Sequence, residues 1–309
     1  MLLRTVHRRV HPLSDHPEDN LRRWDILTAF LKERMQMENT LTEKKLLVLD
    51  IDGTLTNSKK EITAATKQAI WDLLLRGHRV ILASGRPTPG LRRYEKELEL
   101  ERYGGYLLSY NGAHIMECRS GEVVYQSLLP LTLLPRLYKF AKDNGCGLVT
   151  YLGECVISAF PTDEYIEIEA RINGLPIRQV DNFLEFVDFS IHKCLMTALP
   201  EKAQVFEKQL QEKLGNVASI YRSEPYFIEI MPHNVTKATA LERILEALGM
   251  KRENMVCCGD GFNDIAMIRY AGVGVAMGNA QPAVKEAADY ITATNDQDGV
   301  LEVIRKFFP

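Results

Sequence analysis

The chain has 309 residues, of which 46% are hydrophobic and 26% charged, enough for one large or two medium domains with a buried core. Its 38 basic residues nearly balance 41 acidic ones without blocks of like charge, so we expect no nucleic-acid partner. No apolar run approaches the ~20 residues that span a bilayer, so we expect no membrane partner. Six cysteines without a C-x-x-C pair predict reduced thiols in a reducing compartment, hence a cytoplasmic protein.

The first part of the chain, residues 1–43, is predicted to be an N-terminal extension of unknown role. Met1–His11 is basic, and Leu21–Met37 has a loosely amphipathic helical pattern. Acidic residues between these two segments argue against a transit peptide. An alternative is that the natural chain starts at Met35 or Met37, just before the first predicted strand.

After this extension the sequence predicts alternating strands and helices. Leu46–Leu49 is a continuous apolar run, as expected for a strand that is covered on both faces. Thr63 can cap a helix that ends at Gly77, and Arg79–Ala83 reads as the next buried strand. Such a βαβ unit implies parallel neighbouring strands in a doubly wound sheet.

The C-terminal third repeats this alternation, with a buried strand predicted at Met255–Cys258. Residues 130–223 instead mix longer helices with strands, which predicts an inserted α+β cap domain. The chain is expected to return to the core along a strand at Phe227–Ile230. The predicted fold is therefore α/β, with a doubly wound parallel-sheet, Rossmann-like core formed by 44–129 and 224–309.

Two aspartates, Asp50 and Asp52, directly follow the first predicted strand in the run D-I-D-G-T. The carboxyl ends of parallel strands are where open α/β sheets bind ligands. Gly53 lets the chain turn there, so both carboxylates can face one crevice. Such a pair suits metal binding together with nucleophilic or acid–base chemistry. The structural alternative is an Asx turn at the strand end. Such a turn does not require the full run D-x-D-G-T, which is rare by chance.

Two further elements could bind a phosphate group. Ser84 and Gly85 end the second predicted strand, where a hydroxyl and backbone N–H groups can hold phosphate oxygens. By itself this dipeptide could equally be an ordinary turn. Lys237 stands near the start of a predicted helix at the same edge of the sheet, where it could neutralise phosphate charge. The interval between Ser84 and Lys237 far exceeds the ~30 residues of a βαβ step, which supports the inserted domain.

A second acidic cluster follows the strand at Met255–Cys258. Asp260, Asn263 and Asp264 lie in the run G-D-G-F-N-D, with Asp264 in the first turn of the next helix. Hard divalent cations prefer several such oxygen ligands. The structural alternative is that Asp260 or Asn263 caps the helix.

These four elements occur in the order of the four motifs of the haloacid dehalogenase-like (HAD) hydrolases, which the chain resembles over roughly residues 44–309. Three accessory signatures resemble those of the Cof-type branch, namely Tyr110-Asn111-Gly112-Ala113, Glu229-Ile230-Met231-Pro232 and Met277-Gly278-Asn279-Ala280. That branch carries a large α/β cap of type IIB between its second and third motifs.

The resemblance implies a Mg²⁺-dependent phosphatase that hydrolyses a small phosphorylated metabolite, such as a sugar phosphate or phosphorylated cofactor, through an aspartyl-phosphate intermediate. Asp50 would be the nucleophile, and Asp52 the general acid/base, with an elevated pKa. The substrate phosphate would be held by Ser84, Gly85, Lys237 and Asn263. The Mg²⁺ ligands would be Asp50, the backbone carbonyl of Asp52, Asp260 and Asp264, the last either as a ligand or as a neighbour that orients the ligands.

Other functions remain open from the sequence. A phosphohexomutase shares this chemistry and cap class, and a non-catalytic sensor of phosphometabolites is a further alternative. The absence of G-x-G-x-x-G after the first strand, and of G-x-x-x-x-G-K-[ST], argues against a dinucleotide oxidoreductase and a P-loop NTPase. His114 and His233 are predicted to be structural or solvent-exposed. Whether the protein is a monomer or a homodimer, and which cap residues set specificity, is not predicted.

Overall fold

The computed structural model describes residues 44–309. The predictions for residues 1–43, including the helical pattern over Leu21–Met37, lie outside the described residues. The described cysteines are all free thiols, and five of the six are buried, as the sequence predicted.

The described residues form fourteen β-strands and eleven α-helices. The strands are β1 Leu46–Leu49, β2 Arg79–Ala83, β3 Tyr106–Ser109, β4 His114–Glu117, β5 Val123–Gln126, β6 Gly147–Leu152, β7 Cys155–Ser158, β8 Ile177–Gln179, β9 Cys194–Thr197, β10 Ala218–Glu224, β11 Phe227–Pro232, β12 Met255–Gly259, β13 Val273–Ala276 and β14 Tyr290–Ile291. The helices are α1 Ala64–Leu75, α2 Thr88–Glu97, α3 Leu100–Tyr103, α4 Leu134–Asn144, α5 Glu164–Asn173, α6 Phe183–Phe186, α7 Pro200–Leu214, α8 Lys237–Leu248, α9 Ile265–Tyr270, α10 Pro282–Glu286 and α11 Gly299–Phe307.

The first sheet has the strand order β14-β13-β12-β1-β2-β3-β4-β5. Strand β1 lies at its centre and pairs in parallel with β2 and β12, so Leu49 lies beside both Leu82 and Cys258. Leu47 packs into a hydrophobic cluster that includes residues of α1 and α11, whereas Val48 packs into a second cluster that includes residues of α8. Helices therefore cover both faces, which confirms the predicted doubly wound core.

One edge of this sheet departs from the parallel pattern. Strands β3, β4 and β5 form an antiparallel meander, which the sequence analysis did not predict. Between β3 and β4 lies a 3₁₀ turn at Tyr110–Gly112, in which Tyr110 and Asn111 have φ of 49° and 50°. This turn holds Asn111 in the left-handed conformation, close to the carboxyl ends of the central strands.

The second sheet, with the order β10-β11-β9-β6-β7-β8, is built from the segment between β5 and α8. The strand at Phe227–Ile230 was predicted to return to the core, and that prediction was wrong. Strand β11 instead pairs antiparallel with β10 and β9, so Ile230 lies beside Ile220 and Cys194. We therefore propose that the cap extends through Pro232 and not only through residue 223.

The chain enters and leaves the cap at one place. On the way in, the backbone N–H of Ser127 donates to the carbonyl of Ala113, at 2.8 Å. On the way out, the carbonyl of Thr236 lies so close to Gly112 that a Cβ on that glycine would be 2.5 Å from it. Both connections thus rest on the 3₁₀ turn that follows β3.

Candidate active site

The turn after β1 sets the geometry of the site. The backbone N–H of Asp50 continues the sheet by donating to Cys258, and the carbonyl of Asp50 accepts from Leu55 at the end of the turn. Gly53 has a φ of 84°, and a Cβ there would lie 2.4 Å from the Oδ2 atom of Asp260. Glycine is therefore required both by the backbone conformation and by the close approach of the Asp260 carboxylate.

Three carboxylates converge at the centre of the sheet. Asp50, Asp260 and Asp264 each offer an oxygen within 4.8 Å of the other two. The Oδ1 atom of Asp260 accepts from the Thr54 hydroxyl at 2.8 Å. The Oδ2 atom of Asp264 accepts from the backbone N–H groups of Asp260 and Gly261, at 3.0 and 2.9 Å. Such hard oxygen donors suit a divalent cation, so the residues present fit the Mg²⁺ that the resemblance implies.

Lys237 supplies the positive charge inside this cluster. It is the first residue of α8, whose capping box is made by Thr236 and Thr239. Its Nζ atom lies 2.6 Å from the Oδ1 atoms of both Asp50 and Asp264. With 1% of its surface exposed, the side chain is buried at this edge of the sheet.

The cluster carries more negative than positive charge. Burial and the neighbouring carboxylate of Asp264 raise the pKa of Asp50 well above its usual value, although Lys237 opposes this shift. Burial and Asp264 likewise raise the pKa of Asp260 to about 6. Burial by itself lowers the pKa of Lys237, but the two carboxylates outweigh it and the pKa is raised. One ammonium thus lies among three carboxylates, and this excess of negative charge favours binding of a further cation.

Asp52 lies apart from this cluster and is paired with two cations. Its carboxylate accepts from Nε and Nη2 of Arg86, at 2.7 and 2.8 Å, and from Nζ of Lys60 at 2.8 Å. Burial by itself raises the pKa of the Asp52 carboxyl, but Arg86 and Lys60 outweigh it and lower the pKa to about 2. The expected elevated pKa is therefore wrong for this arrangement, because Arg86 and Lys60 stabilise the ionised form.

The residues predicted to hold phosphate differ in position. Ser84 is buried at the end of β2, and its Oγ atom accepts from the backbone N–H of Arg86 at 3.2 Å. Gly85 follows it, next to the side chain of Asn111. Asn263 is exposed at the rim, where its Nδ2 atom donates to Oδ1 of Asn111 at 3.0 Å. The structure thus brings Ser84 and Gly85 to the carboxylate edge and leaves Asn263 at its border.

Comparison with known proteins identifies the architecture. The family model of haloacid dehalogenase-like hydrolases matches residues 47–304, most of the chain. The chain belongs to this family. Its sequence and structural neighbours place it in the Cof-type branch, with the subclass IIB cap, and it is an enzyme of the phosphatase type.

Three relatives illustrate the similarity. A haloacid dehalogenase-like hydrolase from Bacteroides thetaiotaomicron is 44% identical, with a TM-score of 0.83 over 86% of this chain and 100% of its own. A sugar phosphatase of HAD subclass IIB is 28% identical, with a TM-score of 0.75 over 86% and 99% of the two chains. The 5-amino-6-(5-phospho-D-ribitylamino)uracil phosphatase YcsE of Bacillus subtilis is 31% identical over 276 residues, 88% and 98% of the two chains.

The cap of this HAD hydrolase closes over the site through side chains that the sequence analysis did not assign. The Nη1 atom of Arg86 donates to the carbonyl of Ile172 in α5, at 2.5 Å. The Nδ2 atom of Asn111 donates to the hydroxyl of Tyr221 in β10, at 2.7 Å. Lys193, just before β9, donates to the carbonyl of Gly85 at 3.3 Å. Arg86 and Asn111 lie in motifs that were recognised, whereas nothing in the local sequence marks Tyr221 or Lys193, the two cap residues that contribute side chains.

The described part of this HAD hydrolase contains no helix that is both long and apolar enough to cross a membrane.

Proposed function

We propose that this enzyme is a Mg²⁺-dependent phosphomonoester hydrolase that acts on small phosphorylated metabolites through an aspartyl-phosphate on Asp50. The observation that carries the proposal is the position of the Asp50 carboxylate, held by Lys237 at 2.6 Å amid two further carboxylates. A sugar phosphatase and a phosphatase of a ribityl phosphate are among the relatives, which supports small phosphate esters of hydroxylated molecules as substrates.

Asp50 is the proposed nucleophile. One of its carboxylate oxygens forms a bond to phosphorus as the bond from phosphorus to the ester oxygen breaks, and the departing alkoxide takes a proton. Water then attacks phosphorus, the bond to Asp50 breaks, and inorganic phosphate leaves. The covalent step divides the high barrier of phosphomonoester hydrolysis into two. Lys237, the hydroxyl of Ser84 and the backbone N–H of Gly85 stabilise charge on the phosphoryl oxygens.

Asp52 is the proposed proton carrier. Paired with Arg86 and Lys60, its carboxylate is ionised and suited to accept a proton from the attacking water. To donate a proton to the leaving group, Asp52 must first separate from these cations and take up a proton from solvent. The phosphate group of a substrate offers Arg86 and Lys60 another anionic partner, which would release Asp52 for that step.

The proposed metal ligands are Asp50, Asp260 and the backbone carbonyl of Asp52. Both carboxylate oxygens of Asp264 already accept hydrogen bonds, from Lys237 and from two backbone N–H groups. We therefore propose that Asp264 orients Asp260 and Lys237 and does not bind the ion directly. Mg²⁺, when bound, would supply positive charge next to the transferred phosphoryl group.

The test is phosphate release from p-nitrophenyl phosphate, with and without Mg²⁺. We expect activity that EDTA abolishes and that Mg²⁺ restores. Asp50→Asn should lower kcat by at least about 1,000-fold, since it removes the nucleophile. Asp181→Asn, an exposed change in the cap, is the matched control. Acid quenching with ³²P-labelled substrate should leave label on the wild-type protein and on Asp181→Asn, but not on Asp50→Asn. Turnover retained in Asp50→Asn would refute the nucleophile.

A further inference from the structure

A charged pair occupies the core-facing side of the cap sheet. Along β11, Phe227 and Met231 contribute to a hydrophobic cluster on the face that carries Tyr151, whereas Ile228 and Ile230 contribute to the cluster on the opposite face. Because side chains alternate along a strand, Glu229 lies on the core-facing side, with 5% of its surface exposed. A carboxylate in such apolar surroundings is costly unless it is paired.

Two cap residues satisfy this carboxylate. The Nζ atom of Lys193 lies 3.0 Å from Oε2 of Glu229. The hydroxyl of Ser223 donates to Oε1 at 2.8 Å. Lys193 itself is 2% exposed, so the ion pair is buried in the closed arrangement. The pair is thus a fixed structure on the inner face of the cap.

The pair directly adjoins Ser84 and Gly85, the proposed phosphate-binding segment, here called the phosphate loop. Lys193 donates to the carbonyl of Gly85, at 3.3 Å, and so connects Glu229 to the core. On the other side, Ser223 and Glu224 are exposed. The charges of Lys60 and Asp52 lie close enough to act on the carboxyl group of Glu224. Glu229 therefore lies between the phosphate loop and the mouth of the site, where the leaving group of a bound ester would extend.

Hydrogen-bond acceptors and negative charge predominate on this face. Glu169 lies there too, and its carboxylate accepts from the Tyr151 hydroxyl at 2.6 Å and from Asn173 at 2.9 Å. The ammonium of Lys193 is committed to Glu229 and Gly85 and lies 5.3 Å from the centre of the Tyr151 ring. With Asp52, the carboxylates of Glu169, Glu224 and Glu229 outnumber the cations of Lys193, Lys60 and Arg86, each of which already has a carboxylate partner.

We propose that Glu229, positioned by Lys193 and Ser223, receives the leaving group and selects hydroxyl-rich monophosphates over substrates with a second phosphate. Hydroxyl groups donate strong, charge-assisted hydrogen bonds to a carboxylate. A second phosphate would meet like charge in a poorly solvated site. This inference rests on the proposed function, and it disfavours the phosphohexomutase alternative, since a bisphosphate activator would have to occupy the same space.

The experiment compares three esters: p-nitrophenyl phosphate, fructose 6-phosphate and fructose 1,6-bisphosphate. For the wild-type enzyme, kcat/KM for fructose 6-phosphate should exceed kcat/KM for fructose 1,6-bisphosphate by about tenfold or more. Glu229→Gln should lower this ratio by about tenfold, mainly through KM, because it removes the repelling charge. Glu212→Gln, an exposed change on α7, is the matched control and should leave the ratio within about twofold.

Thermal melting of each variant separates loss of folding from loss of selectivity. If Glu229→Gln fails to fold because Lys193 is left unpaired, Ser223→Ala leaves the ion pair intact and should still lower the ratio by about threefold. A ratio unchanged in the folded variants, or a wild-type enzyme that prefers the bisphosphate, would overturn the inference alone. A wild-type protein that releases phosphate from none of the three esters would overturn the proposed function and the inference with it.

Discussion

Lys237 is a fully buried ammonium held between two carboxylates. Its Nζ atom is equally close, 2.6 Å, to oxygens of Asp50 and Asp264, and 2.9 Å from the carbonyl of Ala83. A buried charge network of this kind adds little net stability compared with apolar residues, but removal of one member leaves the others without compensation. The lysine is therefore needed to assemble the carboxylates before any substrate arrives.

Replacement of this lysine tests that role. Lys237→Met should lower the free energy of unfolding by about 3 kcal/mol, since two buried carboxylates lose their cation. It should also lower kcat/KM for p-nitrophenyl phosphate by at least about 100-fold. Urea unfolding and steady-state kinetics measure the two effects. The exposed Lys251→Met should change stability by less than about 0.5 kcal/mol. A Lys237→Met variant as stable and active as the wild type would contradict this assignment.

At the residue scale, proximity was predictable where the topology dictates it. Asp50 and Asp260 follow adjacent parallel strands, so the sequence predicted that their side chains meet at one edge, and they do. The pairing of Asp52 with Arg86 was not predictable. It depends on which way two long side chains leave their turns, and that is decided by tertiary contacts such as the bond from Arg86 to Ile172.

At the scale of elements, the turn after β1 couples backbone conformation to the carboxylate cluster. Gly53 has a positive φ, and its α-carbon lies against the carboxylate of Asp260. That carboxylate is further fixed by the Thr54 hydroxyl. The turn and the proposed metal ligand therefore occupy interlocking positions, and neither can shift alone.

Gly53→Ala should damage the metal site more than the fold. The alanine Cβ would lie 2.4 Å from Oδ2 of Asp260, so that carboxylate must move. We expect the Mg²⁺ concentration for half-maximal activity to rise by about tenfold or more, together with a backbone cost of about 1–2 kcal/mol. Gly121→Ala is the control, since it has a φ of 69° and no atom within 4 Å of the new Cβ. Equal Mg²⁺ dependence in both variants would refute the coupling.

The sequence predicted the strands of the central sheet, but it did not always predict to which sheet a strand belongs. The apolar runs at β1, β2 and β12 showed burial on both faces, and their spacing by helices implied parallel pairing. Strand β11 is buried along its whole length in the same way, although it belongs to the cap. Burial on both faces does not reveal which sheet supplies the neighbours, so the sequence assigned this strand to the core.

At the scale of the whole molecule, aromatic rings join the cap to the core. His192 of the cap stacks on Tyr110 with ring centres 5.0 Å apart, and meets His114 of β4 edge to face at 4.9 Å. Burial, together with Arg92, lowers the pKa of His114 to about 4. Burial, together with His114, lowers the pKa of His192 to about 3. The folded protein therefore holds both imidazoles neutral.

This arrangement predicts acid sensitivity. In the unfolded chain a histidine has a pKa of about 6.5, so between about pH 6.5 and 4 the unfolded state binds more protons than the folded state. The free energy of unfolding therefore decreases as the pH is lowered through this range. We expect each histidine to contribute a loss of about 3 kcal/mol over that range, and the two together about 6 kcal/mol. His192→Phe keeps a ring in the stack and should flatten the profile measured by urea unfolding, whereas the exposed His233→Gln should not. Parallel profiles for all three proteins would contradict the role of the stack.

The two cap connections meet at one small turn of the core, beside Gly112 and Ala113. An insertion that enters and leaves at the same point can be lengthened, rebuilt or replaced without rerouting any core strand. The cap can therefore change in sequence and structure as one segment, while the turn after β1 and Lys237 at the start of α8 stay constant. A transplant of residues 127–236 from a relative with another leaving-group preference should carry that preference along, so new substrates are reached by exchange of one segment.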